Sequence, residues 1–347
     1  MPPTRNLWSR RGRRPRRRDT AEMTRVRSAS MNSPVDIFFR PVEPGQVPYW
    51  RLVLRGCSQT CFQSNELTGL IFFVAVLIAS PIAFAYLLVA AIMAPGGRML
   101  LGKRDAIPTG LPGLNPCLIA LALPAAFHTG FSDIGMWGVL VVSVAATMVL
   151  TRVSIVLLPV PTLAFPFLLV FWALVALAPR LDVLQPITSS PAGPEAFHPF
   201  AAVCLSLGQA IFAGTVWSGL LFLGGVLLSN WRHGLLALFG AAIGTVVSYY
   251  HRDVDIAGVN LGQYGFNGVL TAVAVFIFCG GKLRLAILGS VLATMMVPAL
   301  ASLGLPTASA PYVFTTWLML GLGWIADKWF DLPTAPALSS ESLSAHP

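Results

Sequence analysis

Apolar runs alternate with short polar connections along most of the chain. A membrane-spanning helix needs roughly 20 mostly apolar residues, and runs of about this length recur from residue 67 to residue 326. The pattern predicts five spans in the first half of the chain, at 67–80, 81–95, 114–128, 134–158 and 160–178. It predicts five more in the second half, at 216–229, 233–250, 264–280, 283–302 and 310–326. We therefore expect an all-α integral membrane protein.

A shorter apolar segment precedes each set of five spans. Residues 52–64 and residues 201–213 are too short to cross the bilayer, since a span takes about 20 residues. Such segments fit half-membrane re-entrant helices, whose irregular backbone is tolerated at membrane depth only where protein or a water-filled cavity covers it. Two of them predict a pore.

Three short motifs occur twice, in the same order. They are marked by the pairs Gln59 and Gln209, Asn115 and Asn267, and Pro166 and Pro311, at offsets of 150, 152 and 145 residues. A repeat with an odd number of spans inserts its second copy upside down, and inverted repeats place the solute site of many transporters near the bilayer midplane. We therefore expect two inverted repeats, each of five transmembrane helices plus one half-membrane re-entrant pore helix.

Composition agrees with a membrane body and places the charge in a tail. Apolar residues make up 55% of the chain and charged residues 11%, against about 25% charged residues in soluble domains. Residues 1–35 carry ten Arg against two acidic residues, so most of the net charge of +9 lies there. A basic stretch without a folded domain or interleaved aromatic residues does not predict nucleic-acid binding. It is typical of a cytoplasmic segment that contacts anionic lipid.

These observations predict five regions along the chain. A basic, disordered cytoplasmic N-terminal tail covers 1–48, and the first transmembrane repeat covers 49–180. A polar linker at 181–199 leads to the second repeat at 200–328, and a C-terminal tail follows at 329–347.

The polar residues expected at membrane depth are uncharged and do not suggest an enzyme. The five histidines fall at span ends or outside the spans, and no pattern of acid, base, nucleophile or metal ligands is evident. We expect no catalytic residue, cofactor or metal. Gln59 and Gln209 can replace water around a neutral amide, and Phe62 and Phe212 follow three residues later, on the same face of a helix as their glutamine. This pairing predicts a flat slot for a planar molecule with N–H donors and one carbonyl.

Glu66 is the one acidic residue expected near membrane depth, and its counterpart is Val216. It marks the interface, a pore entrance or a proton-coupling group, which leaves an ion-coupled transporter as an alternative. An ammonium channel is expected to carry a pair of histidines at mid-span, and this sequence has no such pair. For a water or glycerol channel the only motif with some similarity is Asn115-Pro116-Cys117.

With these motifs the sequence resembles the urea transporter family from about Leu54 to Ala326. The resemblance implies passive, channel-like permeation of urea or a similar small neutral amide through a homotrimer in lipid. It also implies a bacterial-type inner (plasma) membrane as the location. The implied pore has aromatic slots lined by ladders of backbone oxygens, with the polar pore-helix positions at Gln59 and Gln209 and the slots at Phe62 and Phe212.

The same resemblance extends to the centre of the pore. Leu118 and Leu270, three residues after each Asn, are expected in the slots. The family's paired central Thr hydroxyls fall at Ala164 and Ser309, so one is replaced by a methyl. The neighbouring pair Thr162 and Thr307 is also expected at the site, and Thr162 is the candidate to supply the missing hydroxyl.

Overall fold

A computed structural model describes residues 47–100, 109–187, 196–251, 254–304 and 306–329. Within these ranges the regular structure is helical, apart from an isolated bridge between Phe127 and Pro186, which confirms the all-α class. The helices of the first half are α1 (Tyr49–Ser58), α2 (Glu66–Ala79), α3 (Pro81–Leu100), α4 (Leu114–Ala126), α5 (Ile134–Leu157) and α6 (Phe165–Leu177). Those of the second half are α7 (Pro199–Gln209), α8 (Val216–Ser229), α9 (Trp231–Tyr249), α10 (Ile256–Asn260), α11 (Phe266–Phe278), α12 (Leu283–Ser302) and α13 (Ala310–Trp329).

The predicted spans correspond to helices, but half of these helices are well short of the roughly 20 residues that a span needs. Among the described residues, α5 and α12 are long and apolar enough to cross a membrane on their own. The segments Tyr49–Cys61 and Glu66–Ala79 form a pair bent by 74°, the geometry of a broken span or a re-entrant loop. The span predicted at 160–178 begins only at Phe165, because the residues before it form a loop. The number of spans therefore stays a prediction.

Large apolar side chains cover the outer surface of the longest helix. On α5, Val142 is 69% exposed, Val149 63% and Val156 76%. A soluble monomer rarely leaves a contiguous apolar face of this kind in water. The apolar helices are thus typical of a membrane protein, with lipid as the medium around them.

The two halves meet through α2 and α8, and the contacts there are reciprocal. Thr68 Oγ1 donates to the carbonyl of Gly225 at 2.8 Å, and Ser218 Oγ donates to the carbonyl of Ala75 at 2.7 Å. The two donor residues are 150 positions apart in the chain, and so are the two acceptor residues. This is the offset of the first motif. Contacts in which residue i meets j and the counterpart of i meets that of j are what a two-fold axis produces.

A stacked aromatic pair lies at the centre of this contact. The rings of Phe72 and Phe222, also 150 residues apart, have centroids 4.9 Å apart and planes 13° from parallel. Both side chains are fully buried. The two halves thus contribute residues at matched positions to this contact.

Two glycines let the short helices approach α2 and α8. A Cβ atom at Gly69 would lie 2.0 Å from the carbonyl oxygen of Leu54, and one at Gly219 would lie 1.8 Å from that of Cys204. No side chain fits at these distances, so glycine is required at both positions. The crossing of α1 over α2 is therefore repeated in α7 and α8.

The predicted tails fall largely outside the described part of the chain. The N-terminal tail lies outside it up to residue 46, and the C-terminal tail from residue 330. Most of the linker at 181–199 is described. Within it, the main-chain carbonyl of Gln185 accepts a hydrogen bond from His128 N at 2.8 Å. The division of the chain into five regions stays a prediction.

Candidate functional site

Both short helices end at a phenylalanine in the left-handed backbone conformation. A 3₁₀ turn, Gln59–Cys61, follows α1, and Phe62 then adopts a φ of 59°. Phe212 adopts a φ of 55° after α7. Positive φ is unusual for a bulky residue, so its occurrence at both positions indicates the same constrained turn in each half. The prediction that each phenylalanine shares a helical face with its glutamine is wrong, because the helix ends before the phenylalanine.

Each of these rings packs edge-on against an aromatic ring of the other half. The Phe62 centroid lies 6.4 Å from that of Tyr312 with an interplanar angle of 71°. The Phe212 centroid lies 6.3 Å from that of Phe167 at 74°. Phe62 and Phe212 are half-buried, whereas their partners are buried. Edge-to-face pairs are a favoured aromatic geometry, and here they join the start of one half to the end of the other.

The two glutamines tie the ends of the short helices to the loops before α4 and α11. Gln59 Nε2 donates to Ser64 Oγ and to the carbonyl of Thr109, both at 2.7 Å. Gln209 Nε2 donates to the carbonyl of Leu261 at 3.3 Å. A glutamine amide has two N–H donors, and Gln59 uses both inside the protein. Its carbonyl oxygen takes no part in these two contacts.

Asn115 and Asn267 clamp the loop that precedes the last helix of their half. Asn115 Nδ2 donates to the carbonyl of Leu163 at 3.2 Å, and its Oδ1 accepts from Phe167 N at 3.0 Å. Asn267 makes the same two contacts in the second half, at 3.1 and 3.2 Å. Phe167 N lies in the first turn of α6, where an N–H has no partner within the helix. Each asparagine therefore caps a helix and holds the loop before it.

The clamped loops carry the centre of the third motif. Leu163 and Ala308, whose carbonyls the asparagines bind, adopt φ values of 48° and 38°. Ala164 and Ser309 follow them and are buried. Ser309 Oγ has no hydrogen-bond partner within the described part of the protein. The loops thus present one buried, unpaired hydroxyl on the second-half side and a methyl on the first-half side.

The remaining candidate residues lie beside these loops. Leu118 and Leu270 are buried, at 4% and 3% exposure. Thr162 and Thr307 are half-buried, and their main-chain carbonyls accept hydrogen bonds from the start of the following helix at 3.0 and 2.9 Å. Whether Thr162 replaces a hydroxyl missing at Ala164 stays a prediction.

Two tryptophans that the sequence analysis did not single out bridge the halves at these loops. Trp172 Nε1 donates to the carbonyl of Pro306, and Trp317 Nε1 donates to that of Pro161, each at 2.8 Å. The tryptophans are 145 residues apart, and so are the prolines. Comparing the sequence with itself at the third motif's offset of 145 residues aligns these two tryptophans with each other. The pair could therefore have been found from the sequence.

Glu66 lies in a buried ion pair with two arginines of α1. Its Oε1 lies 2.5 Å from Arg51 Nε and 2.8 Å from Arg55 Nη2. The side chains of Glu66 and Arg51 are each 5% exposed. Both arginines contact the same carboxylate oxygen, so the carboxylate is committed to a structural pairing at the start of α2.

The family model for urea transporters matches residues 50–323. The chain belongs to the urea transporter family. It is similar to urea transporter 1 of sheep (Ovis aries), with 27% identity over 309 residues that cover 80% of this chain and 78% of the sheep protein. It is similar to urea transporter 1 of rat (Rattus norvegicus), with 24% identity over 327 residues covering 86% and 83%.

The family assignment confirms the resemblance seen in the doubled motifs. The matched region runs from α1 into α13 and contains every candidate residue described above. The arginine-rich segment lies before it. Both relatives are mammalian, and the bacterial origin expected from the resemblance stays a prediction.

Proposed function

We propose that this urea transporter family member is a passive, channel-like pathway for urea, with a neutral pore between two inverted repeats. The observation that carries the proposal is the crossed aromatic contact, in which Phe62 and Phe212 each meet a ring of the opposite half. Two such rings at matched ends of one path would give urea a flat apolar slot on each side. The names of the sheep and rat relatives support urea as the solute.

The groups around the proposed path suit a neutral amide. Urea carries N–H donors and one carbonyl, and moving such groups out of water without partners costs a few kcal/mol each. The path offers Gln59 Oε1 and the hydroxyl of Ser309 as neutral partners, beside the apolar side chains of Leu118 and Leu270. Backbone carbonyls freed where α1 and α7 end would extend the set, as broken helices do in other transporters.

Passive permeation, rather than ion coupling, fits the pairing of Glu66. A coupling carboxylate must gain and lose a proton or bind a cation during transport. Glu66 instead contacts Arg51 and Arg55 within 3 Å, and removing one partner from a buried pair of this kind is costly. The ion-coupled alternative would require this cluster to break in every cycle.

The proposal includes the arrangement of the chain in the membrane. The reciprocal contacts of α2 with α8 support two copies related by a two-fold axis, and an axis in the membrane plane makes the repeats inverted. We place the protein in the plasma membrane with a cytoplasmic N-terminus, assembled as a homotrimer. Light scattering of the detergent-solubilised protein, corrected for bound detergent, tests the trimer, and a monomeric mass contradicts it.

Urea flux into proteoliposomes tests the proposed path. Vesicles holding the purified protein are expected to equilibrate urea much faster than protein-free vesicles in stopped-flow light scattering. Gln209→Leu removes the polar side chain at the end of α7 and is expected to lower urea flux at least about tenfold, the effect of about 1.4 kcal/mol. Unchanged flux in Gln209→Leu would show that the path is placed wrongly.

A phenylalanine variant tests the slot itself. Phe212→Ala widens the proposed slot, so the flux of N,N′-dimethylurea relative to urea is expected to rise. Phe131→Ala removes the same side chain from a 64% exposed loop position and serves as the matched control, with an unchanged ratio. Equal ratios in both variants and in the unaltered protein would contradict the slot.

A further inference from the structure

The two central loops differ from each other at two positions, and the two differences meet in space. Ala164 corresponds to Ser309, and Phe167 corresponds to Tyr312, both at the offset of 145 residues. The first half therefore lacks two hydroxyls that the second half carries. Because the halves cross at this point, the hydroxyl of Tyr312 lies at the loop of the first half.

The Tyr312 hydroxyl reaches the main chain of the residue that lacks a side-chain hydroxyl. Ala164 N donates to Tyr312 Oη at 3.0 Å. The matched contact is missing on the other side, because Phe167 has no hydroxyl to offer the N–H of Ser309. Tyr312 is 2% exposed, and its ring lies edge-on to Phe62. The hydroxyl is thus fixed at one place, next to a proposed aromatic slot.

The hydrogen bond from Ala164 leaves the Tyr312 hydroxyl free to act as a donor. A phenol oxygen carries one O–H donor as well as acceptor sites, and the contact with Ala164 N uses an acceptor site. None of the described residues accepts a hydrogen bond from the Tyr312 hydroxyl. A buried donor without a partner is unfavourable, so a solute that supplies an acceptor would satisfy it.

A second hydroxyl with unused hydrogen-bonding capacity lies three residues before it in the chain. Ser309 Oγ is buried and has no hydrogen-bond partner among the described residues. Ser309 directly precedes α13, and Tyr312 is the third residue of that helix. The second half thus contributes two buried hydroxyls with unused hydrogen-bonding capacity, on residues three positions apart.

We propose that Tyr312 is a solute-binding residue, whose hydroxyl takes the place of the one absent at Ala164 and donates to the carbonyl oxygen of a small amide. Ser309 supplies the second hydroxyl. The inference rests on the proposed function and names the group that recognises the solute's acceptor. It follows that the centre of the path is polar on both sides despite Ala164.

Tyr312→Phe tests this role because it keeps the ring and removes only the hydroxyl. Urea flux is expected to fall about three- to tenfold, the range set by one hydrogen bond. Flux of thiourea is expected to fall less, because sulfur is a weak acceptor, so the ratio of urea to thiourea flux drops. Tyr86→Phe is the matched control: its hydroxyl is buried and has no hydrogen-bond partner among the described residues, but it lies in α3 beside Trp137, and flux should not change.

A compensating substitution separates solute binding from structural support. Adding Ala164→Ser to Tyr312→Phe puts a hydroxyl at the position matched to Ser309, and urea flux is expected to return to within about twofold of the unaltered protein. If Tyr312→Phe does not fold, the equivalent pair of substitutions on the other side, Ser309→Ala and Phe167→Tyr, provides the test. Ser309→Ala should lower flux, and adding Phe167→Tyr should restore it, because the new hydroxyl reaches the main chain of residue 309.

Three results would overturn the inference. Unchanged urea flux and an unchanged urea-to-thiourea ratio in Tyr312→Phe would show that the hydroxyl does not contact solute. A uniform loss for both solutes without rescue in either pair would make Tyr312 a support for the Ala164 loop only. If the unaltered protein gives no urea flux above protein-free vesicles, the proposed function fails, and the inference fails with it.

Discussion

Replacing either clamping asparagine with leucine should destabilise the protein by a similar, predictable amount. Asn115→Leu keeps a similar side-chain volume but removes the hydrogen bonds to Leu163 O and Phe167 N. Asn115 is 3% exposed, so water does not readily replace these contacts. A buried main-chain group left unpaired costs about 1–3 kcal/mol, and two such groups give about 3 kcal/mol after partial relaxation.

The second half supplies an internal replicate. Asn267 makes the same two contacts at 3.1 and 3.2 Å and is fully buried, so Asn267→Leu should cost the same within about 1 kcal/mol. Asn230→Leu is the control, since Asn230 accepts from Arg232 N at the half-exposed start of α9, and losing an N-cap costs about 1 kcal/mol.

Thermal unfolding in detergent, followed by tryptophan fluorescence, measures these differences. A loss of about 3 kcal/mol should lower the midpoint by roughly 6–12 °C if each kcal/mol shifts it by about 2–4 °C, and the Asn230 variant should shift by a few degrees. The reasoning is refuted if either clamping variant unfolds within the range of the control, or if the two clamping variants differ by more than they differ from the unaltered protein.

Three further substitutions test features of the fold. Glu66→Gln removes the buried carboxylate that contacts both Arg51 and Arg55 and should cost about 3–5 kcal/mol, seen as a large fall in the thermal midpoint; a midpoint unchanged within error argues against a buried pair. Gly219→Ala would place a Cβ atom 1.8 Å from the carbonyl oxygen of Cys204, so folded protein should be lost in size-exclusion chromatography, and normal recovery would contradict the close crossing. Ala308→Gly relieves a positive φ of 38° and should stabilise by about 0.5–1 kcal/mol; destabilisation would argue against that backbone conformation.

The helices themselves were largely predictable, because apolar periodicity and length carry the signal. The boundaries predicted for 283–302 and 216–229 match α12 and α8. The span predicted at 160–178 was too long at its start. Apolarity continues through Leu163 and Ala164, while the positive φ of Leu163 and the clamp by Asn115 depend on packing against α4.

The candidate site was predictable as a set of positions but not as a set of contacts. The doubled motifs identified Phe62 and Phe212 as equivalent residues. The assumption that the helix continues through them, however, predicted the wrong backbone conformation for both. The offset of 145 residues would have revealed the tryptophan pair. The hydrogen bond between Ala164 and Tyr312 could not be read from the sequence, because it joins residues 148 positions apart whose meeting depends on how the halves cross.

The passive urea pore is tested most directly by the initial rate of urea equilibration in proteoliposomes, measured with and without imposed proton and sodium gradients. The account predicts a rate far above that of protein-free vesicles, proportional to the urea gradient and unchanged when either ion gradient is collapsed. A rate equal to that of protein-free vesicles, with the protein correctly inserted, would contradict urea permeation. A rate that falls when an ion gradient collapses would contradict the passive mechanism.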